Sequence, residues 1–260
     1  MILDRFSLDG KVALVSGGAG LYGRQIVAAL AEAGAKTYIA SRSIDALKDV
    51  AAEHQAKGES VEALYMDLGE EASILAVRDE IVKREGTLDV LVNNAVARPM
   101  KNAYDDNASA FAESMQINAT GLFIITRAMG DLMAEREKGS IINVGSMQGM
   151  IGPDPTIYEG TNMTGFYPDY FFHKGGMINY TRFTASYYGS KGIRCNCISP
   201  GGLWNPKMPE AFIKNYSART LLGRLADQTD LMGIIVFLAS DASLYITGTN
   251  IPVDGGYTAK

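Results

Sequence analysis

The sequence predicts an α/β chain, doubly wound around one mostly parallel seven-stranded sheet with helices on both faces. Three observations predict it. Seven short apolar runs alternate with longer amphipathic stretches, and strands separated by helices build right-handed βαβ units. A glycine cluster stands directly after the first run and before the first amphipathic stretch, the placement of a phosphate-binding turn. The 260 residues, 47% hydrophobic and 20% charged, are long enough to bury the core such a sheet needs.

The first strand is expected at Lys11–Ser16. Gly23–Ala33 follows with helical spacing and stops at Gly34, a residue suited to a helix end. Thr37–Ser41 is the second strand, Ile44–Lys57 the second helix and Val61–Asp67 the third strand. Ser73–Gly86 reads as a helix and Leu88–Asn93 as the fourth strand. Ser109–Glu135 is long enough for one crossover helix, leading to a fifth strand at Ser140–Val144. The remainder reads as a helix over Asp169–Tyr188, a strand over Arg194–Ser199, a helix over Thr229–Ala239 and a last strand over Asn250–Val253. No repeat, linker or low-complexity tract interrupts the pattern, so residues 1–260 are expected to form one domain. The stretch from Gly149 to Pro168 breaks the rhythm with three prolines and Gly152, Gly160 and Gly165. A loop of that length after a strand's carboxyl end predicts a substrate-site insertion.

Charge and cysteine usage exclude several function classes. Twenty-nine acidic against 24 basic residues leave a net charge of −5, which does not make the basic face a nucleic-acid binder needs. Cys195 and Cys197 cannot build a disulfide framework. Two apart on a strand, they point to one face and are expected to pack in the core, with no metal site. The longest apolar run, Ile234–Ala239, is six residues, far short of a membrane span. No signal-peptide pattern opens the chain, and a cytoplasmic protein is expected.

Ser16-Gly17-Gly18-Ala19-Gly20-Leu21-Tyr22-Gly23 contains Gly18-x-Gly20-x-x-Gly23, a dinucleotide fingerprint. Its glycines allow close backbone approach, and the helix N-terminus offers orphan N–H groups and partial positive charge to a pyrophosphate. At the end of the second strand, where an acid would hold the ribose hydroxyls of NAD, the chain reads Ile39-Ala40-Ser41-Arg42. A hydroxyl followed by a guanidinium suits a 2′-phosphate. NADP is therefore expected and NAD remains possible; the competing reading makes Arg42 a solvated strand-end charge.

With Asp67-Leu68 and Asn93-Asn94-Ala95-Val96 at the third and fourth strand ends, these motifs make the chain resemble the short-chain dehydrogenase/reductase family, in its single-domain branch. The resemblance runs from Asp9-Gly10-Lys11 to Val253-Asp254-Gly255-Gly256. It implies a Rossmann-type domain and hydride transfer at an alcohol or carbonyl carbon, with a tyrosine moving the proton. Departures are visible. Ser16 replaces the usual Thr, Leu21 replaces a glycine so that the spacing reads Gly17-x-x-Gly20-x-x-Gly23, and Val96 ends the Asn-Asn-Ala motif in place of Gly. The resemblance assigns cofactor contacts to Gly17, Gly20, Leu21, Tyr22, Gly23, Ser41, Arg42, Asp67, Leu68, Asn94, Ala95, Tyr170, Lys174, Pro200, Gly201, Leu203 and Asn205.

Two Tyr-x-x-x-Lys pairs exist, Tyr170 with Lys174 and Tyr187 with Lys191, and each would share a helix face. Lys174 lies 26 residues before Pro200-Gly201, the spacing family members show, so Tyr170 and Lys174 take the active roles and Tyr187 becomes a helix-end packing residue. A free tyrosine titrates near pH 10; an adjacent ammonium stabilises its phenolate and brings it toward general acid/base work. The resemblance also implies that Ser146 holds the substrate oxygen and Asn118 bends its helix to support a proton-relay water. Ser146 and Tyr170 are 24 residues apart, and the surplus over the family's spacing is the Pro/Gly-rich insertion, expected to bulge over the pocket. Its Tyr158, Glu159, Thr161, Asn162 and Thr164 suit a polyhydroxylated ligand. Trp204, Met208 and the segment to Tyr216 are expected to form a lid, within residues 202–220.

The resemblance to gluconate- and sugar-type dehydrogenases implies a sugar or sugar-acid substrate. The alternatives are a 3-oxoacyl-thioester reductase and a non-catalytic NADP-binding sensor. A homotetramer built through the long helices is implied by the family.

Overall fold

Successive residues of the first strand serve two different cores. A computed structural model describes residues 1–259. In β1 (Val12–Ser16), Val12 and Leu14 face one apolar layer while Ala13 and Val15 face the other. A strand with period-two side chains is apolar throughout only when both of its faces are covered. The same holds through β2 (Lys36–Ser41), β4 (Val90–Asn93), β5 (Gly139–Val144) and β6 (Ile193–Pro200). β3 (Val61–Tyr65) and β7 (Asn250–Val253) are the half-covered edges, and Pro252 sits on the β7 edge, where its missing N–H does least harm.

The strands pair in the order β3-β2-β1-β4-β5-β6-β7, parallel throughout. One face is covered by α1 (Leu21–Glu32), α2 (Ile44–Gln55) and α8 (Met232–Ala239), which contribute Ile26, Leu30, Leu47, Val50, Ile235 and Leu238 to a common core. The other is covered by α3 (Glu71–Glu85), α5 (Gly121–Ala134) and α6 (Pro168–Tyr188), through Ile74, Val77, Ile81, Ile125, Met129 and Tyr188. The expected doubly wound architecture is the observed one. Cys195 and Cys197 are free and fully buried on β6. No helix among the described residues is long and apolar enough to cross a membrane.

Two elements differ from expectation. The helix expected over Ser109–Glu135 is interrupted: α4 (Ala108–Met115) and α5 are joined by a π-helical turn at Gln116–Thr120. The lid region, read without regular structure, contains α7 (Glu210–Arg219), whose Phe212 and Tyr216 join Met147, Ile157, Leu225 and Tyr257 in a third, smaller core. β2 and β4 flank β1 on opposite sides, so the chain reverses its winding direction there. The carboxyl ends of β1 and β4 therefore diverge into a crevice.

Candidate active site

A cleft of about 740 Å³ opens along the carboxyl ends of β1, β2, β4, β5 and β6. At its centre the glycine loop leaves β1. Gly17 has φ +76°, and a Cβ on Gly23 would lie 2.2 Å from the Gly17 carbonyl oxygen, so loop and helix can close on each other only without side chains. Gly20 differs: a Cβ there would meet nothing nearer than 3.6 Å, and the residue caps α1 without a side-chain hydrogen bond. The first-turn N–H groups of α1 have no carbonyl to bond within the helix. Leu21, Tyr22 and Gly23 of that first turn line the cleft, a cradle that fits the pyrophosphate of a dinucleotide.

Ser16, which stands where the family has Thr, performs a structural task. Its Oγ accepts the backbone N–H groups of Asn94 and Ala95, each at 3.1 Å. Asn94 returns the contact by donating Nδ2 to the carbonyls of Ser16 and Gly17. The β1 and β4 ends are thereby locked together beneath the cleft. Tyr22 reaches across it and donates its hydroxyl to the Gly201 carbonyl at 2.8 Å. Burial raises that phenol's pKa and keeps it a donor.

At the end formed by β2 and β3, Ser41, Arg42, Ser43, Asp67 and Leu68 line the wall. Asp67 Oδ1 accepts the Gly69 N–H at 2.8 Å. Arg42 stands 3.9 Å from Asp67 Oδ2 with its side chain largely exposed, a loose pair that leaves most of the guanidinium available.

The opposite end holds Ser146, Tyr170 and Lys174. Tyr170 and Lys174 lie one helical turn apart on α6, and the Lys174 Nζ is 5.8 Å from the Tyr170 ring centroid. Lys174 is buried and donates to the Val144 carbonyl at 2.5 Å. Burial pushes its ammonium below the ordinary lysine range, against which the nearby phenol of Tyr170 acts. Ser146, at the end of β5, accepts the Gln148 N–H at 3.1 Å. Behind them, Asn118 occupies the π turn. Its Oδ1 accepts the Ala97 N–H at 2.8 Å, and its Nδ2 donates to the Ala97 carbonyl at 2.8 Å and to Ser114 Oγ at 3.0 Å. The helix break is the geometry that delivers this amide to the loop after β4. His173 is buried, with its ring edge-on to Tyr170 at 5.3 Å. Burial, helped by Lys174 and Arg98, pushes its pKa down to about 3, so the ring is neutral.

The insertion and α7 form one roof. Tyr158 packs on Phe212 at 5.6 Å, and Arg219 bonds Thr156 Oγ1 at 2.7 Å and Asp154 Oδ2 at 3.0 Å. A Cβ on Gly165 would fall 1.8 Å from the Tyr158 hydroxyl, so that glycine lets the tyrosine lie across the opening.

Of the residues singled out from the sequence, Gly17, Gly20, Leu21, Tyr22, Gly23, Ser41, Arg42, Asp67, Leu68, Asn94, Ala95, Ser146, Tyr158, Tyr170, Lys174, Pro200, Gly201 and Leu203 come together around the cleft. Several others do not line it, among them Thr161, whose hydroxyl donates to the Tyr158 carbonyl. Asn118 acts from behind. Glu159 and Asn162 are exposed, with the Glu159 carbonyl accepting from Asn215. Trp204 is 46% exposed and does not line the cleft, its backbone N–H on the Ala226 carbonyl. Asn205 Oδ1 accepts the Lys207 N–H at 3.1 Å, closing its own turn. Tyr187 is 55% exposed beside Lys191, on the outside of α6, so it is a surface residue and not a packed one. Sequence reading missed Arg98, Gln148 and Tyr167, all lining the cleft. Arg98 follows the Asn-Asn-Ala motif by three positions, which was a usable signal. The others had none.

The family model described as Enoyl-(Acyl carrier protein) reductase matches residues 20–258. Cyclopentanol dehydrogenase of Comamonas testosteroni is 31% identical over 259 residues, covering 97% of this chain and 99% of that one. Galactitol 2-dehydrogenase (L-tagatose-forming) of Cereibacter sphaeroides is 31% identical over 260 residues, with 97% of each chain covered. Among solved structures, a gluconate 5-dehydrogenase from Burkholderia cenocepacia in complex with NADP and tartrate superposes with a TM-score of 0.89 at 30% identity, covering 100% of both chains.

Proposed function

The chain belongs to the short-chain dehydrogenase/reductase family, and from that premise we propose that this NAD(P)-dependent oxidoreductase interconverts a secondary alcohol and a ketone on a sugar or sugar acid. The observation that carries the reading is the meeting of Tyr170, buried Lys174 and Ser146 at one end of a cleft whose middle is a phosphate cradle. Relatives that act on a polyol or on gluconate, by their names, support the substrate class.

The cofactor, when bound, supplies a nicotinamide that accepts or returns the hydride. In the oxidative direction the Tyr170 phenolate would take the proton from the substrate hydroxyl oxygen; in reduction the protonated Tyr170 would give its proton to the carbonyl oxygen. Lys174 stabilises the phenolate by its charge. Ser146 donates a hydrogen bond to the substrate oxygen and holds it against Tyr170. Asn118 is a positioning residue, fixing Ala97 and the wall beside it. NADP is favoured over NAD because Arg42 offers a largely free guanidinium where a 2′-phosphate would lie.

The whole chain is read as one cofactor-binding domain, with 149–168 as substrate loop and 202–220 as lid. It is read as a cytoplasmic homotetramer. Free Cys195 and Cys197 fit a reducing compartment, and Phe183 stacked on Tyr187 leaves an exposed aromatic face on α6 suited to self-association. Tyr170→Phe tests the mechanism by following reduced-cofactor absorbance with sugars, sugar acids and acyl thioesters. Turnover is expected to fall by at least about 100-fold. Unchanged turnover, or activity on long-chain acyl thioesters alone, would overturn the proposal.

A further inference from the structure

We propose that Arg98 is the specificity-determining residue that selects an anionic substrate, with the carboxylate of a sugar acid as its partner; this rests on the sugar-oxidoreductase reading above. Arg98 lies in the loop after β4, directly following Ala97, whose N–H and C=O are both held by Asn118 at 2.8 Å. Its guanidinium lies 4.6 Å from the Tyr170 ring centroid, and it lines the cleft. It makes no hydrogen bond or ion pair within the structure's described residues. A guanidinium seated on an aromatic face spends its π surface on the stack and leaves its N–H edges free in the plane. Those edges match the two oxygens of a carboxylate.

The charge around it points the same way. The cleft lining holds three cations, Arg42, Arg98 and Lys174, and one carboxylate, Asp67. Asp67 belongs to the far end, 3.9 Å from Arg42. Around Tyr170 there are thus two cations and no lining acid, in a chain whose net charge is −5. The nearby acids are turned elsewhere: Asp169, beside Tyr170 in the chain, is buried, accepts from Ser114 Oγ at 2.5 Å and does not line the cleft, Asp154 pairs with Arg219 and Glu159 lies outside the cleft. A pocket of one sign between low-dielectric walls focuses its potential on the entering ligand. Gln148 and Tyr158, also lining this end, are left to meet hydroxyl groups.

The test compares gluconate, its neutral six-carbon counterpart glucitol, and glucitol 6-phosphate on the wild type, Arg98→Lys and Arg98→Gln at saturating cofactor. The wild type is expected to favour gluconate. In Arg98→Gln the gluconate-to-glucitol ratio of kcat/KM should collapse by roughly 10- to 100-fold, the scale of a lost charge-assisted hydrogen-bond pair. The loss should appear in KM for gluconate, and Arg98→Lys should fall between the two because it keeps the charge and loses the fork. An unchanged ratio, with both substrates slowed alike, would overturn the proposal and make Arg98 a partner of Tyr170 only. Preference for the phosphate ester over gluconate would overturn the choice of carboxylate. Gluconate binding to the wild-type cofactor complex is measured separately by calorimetry. Binding weakened by Arg98→Gln, without turnover of any polyol or acid, would refute the sugar oxidoreduction and uphold the anion site. Absence of gluconate binding to the wild type would refute the site itself.

Discussion

Replacing Asn118 by Ala removes one side chain and three hydrogen bonds. The amide is buried, accepts from the Ala97 N–H, donates to the Ala97 carbonyl and donates to Ser114 Oγ. At roughly 1 kcal/mol net for each bond, the loss is about 3 kcal/mol. For a chain of this size that is a fall in Tm of roughly 6–12 °C, measured by calorimetry at fixed protein concentration. Because Ala97 lies between Val96 and Arg98 on the cleft wall, turnover should fall with stability. Asn118→Asp sharpens the case. Its oxygen still accepts from the Ala97 N–H, but an ionised carboxylate would face the Ala97 carbonyl with nothing to donate. Burial and that carbonyl raise the folded-state pKa above the unfolded value near 4. The native state then binds more protons, so the deficit relative to wild type should grow as pH rises from about 4 through the folded pKa. A Tm within about 2 °C of wild type for the Ala variant, together with unchanged activity, would refute the assignment of Asn118 as the pin between the split helix and the β4 loop.

His173 carries a pH prediction. Its pKa is depressed to about 3 by burial, so the unfolded chain binds the proton first as pH falls. The wild type should lose stability from about pH 6.5 downward, at up to about 1.4 kcal/mol per pH unit more than His173→Leu; parallel denaturation curves for the two proteins between pH 6 and 4 would contradict it. Arg42→Ala should weaken NADP binding by roughly 10- to 100-fold while changing NAD binding by much less. Titration of each cofactor by fluorescence reads this directly, and equal losses for the two would remove Arg42 from the cofactor choice.

Much of the fold was legible because its signals are local. The apolar runs of β1, β2, β4, β5 and β6 reflect burial on both faces, and α1 and α2 showed a helical period against a single layer. The order of Tyr170, Lys174 and Pro200-Gly201 along the chain singled out one of the two Tyr-x-x-x-Lys pairs, and the other stands on the surface. Boundaries shifted by one or two residues at several ends, as at β7's neighbour β6, which runs on to Pro200.

Turn chemistry, strand alternation and the glycine spacing belong to the sequence, because each depends on residues a few positions apart. The tertiary structure decided what depends on distant partners. The π turn at Gln116–Thr120 exists where Asn118 meets Ala97 across 21 positions, and no helical period announces such a break. Asn205 was expected in the cleft from the resemblance and Glu159 from its polarity, yet neither lines it. Arg98 comes to stack on Tyr170 only because α6 and the β4 loop converge at the winding reversal of the sheet. A loop side chain takes its direction from the segments packed around it, and that packing exists only in the folded chain.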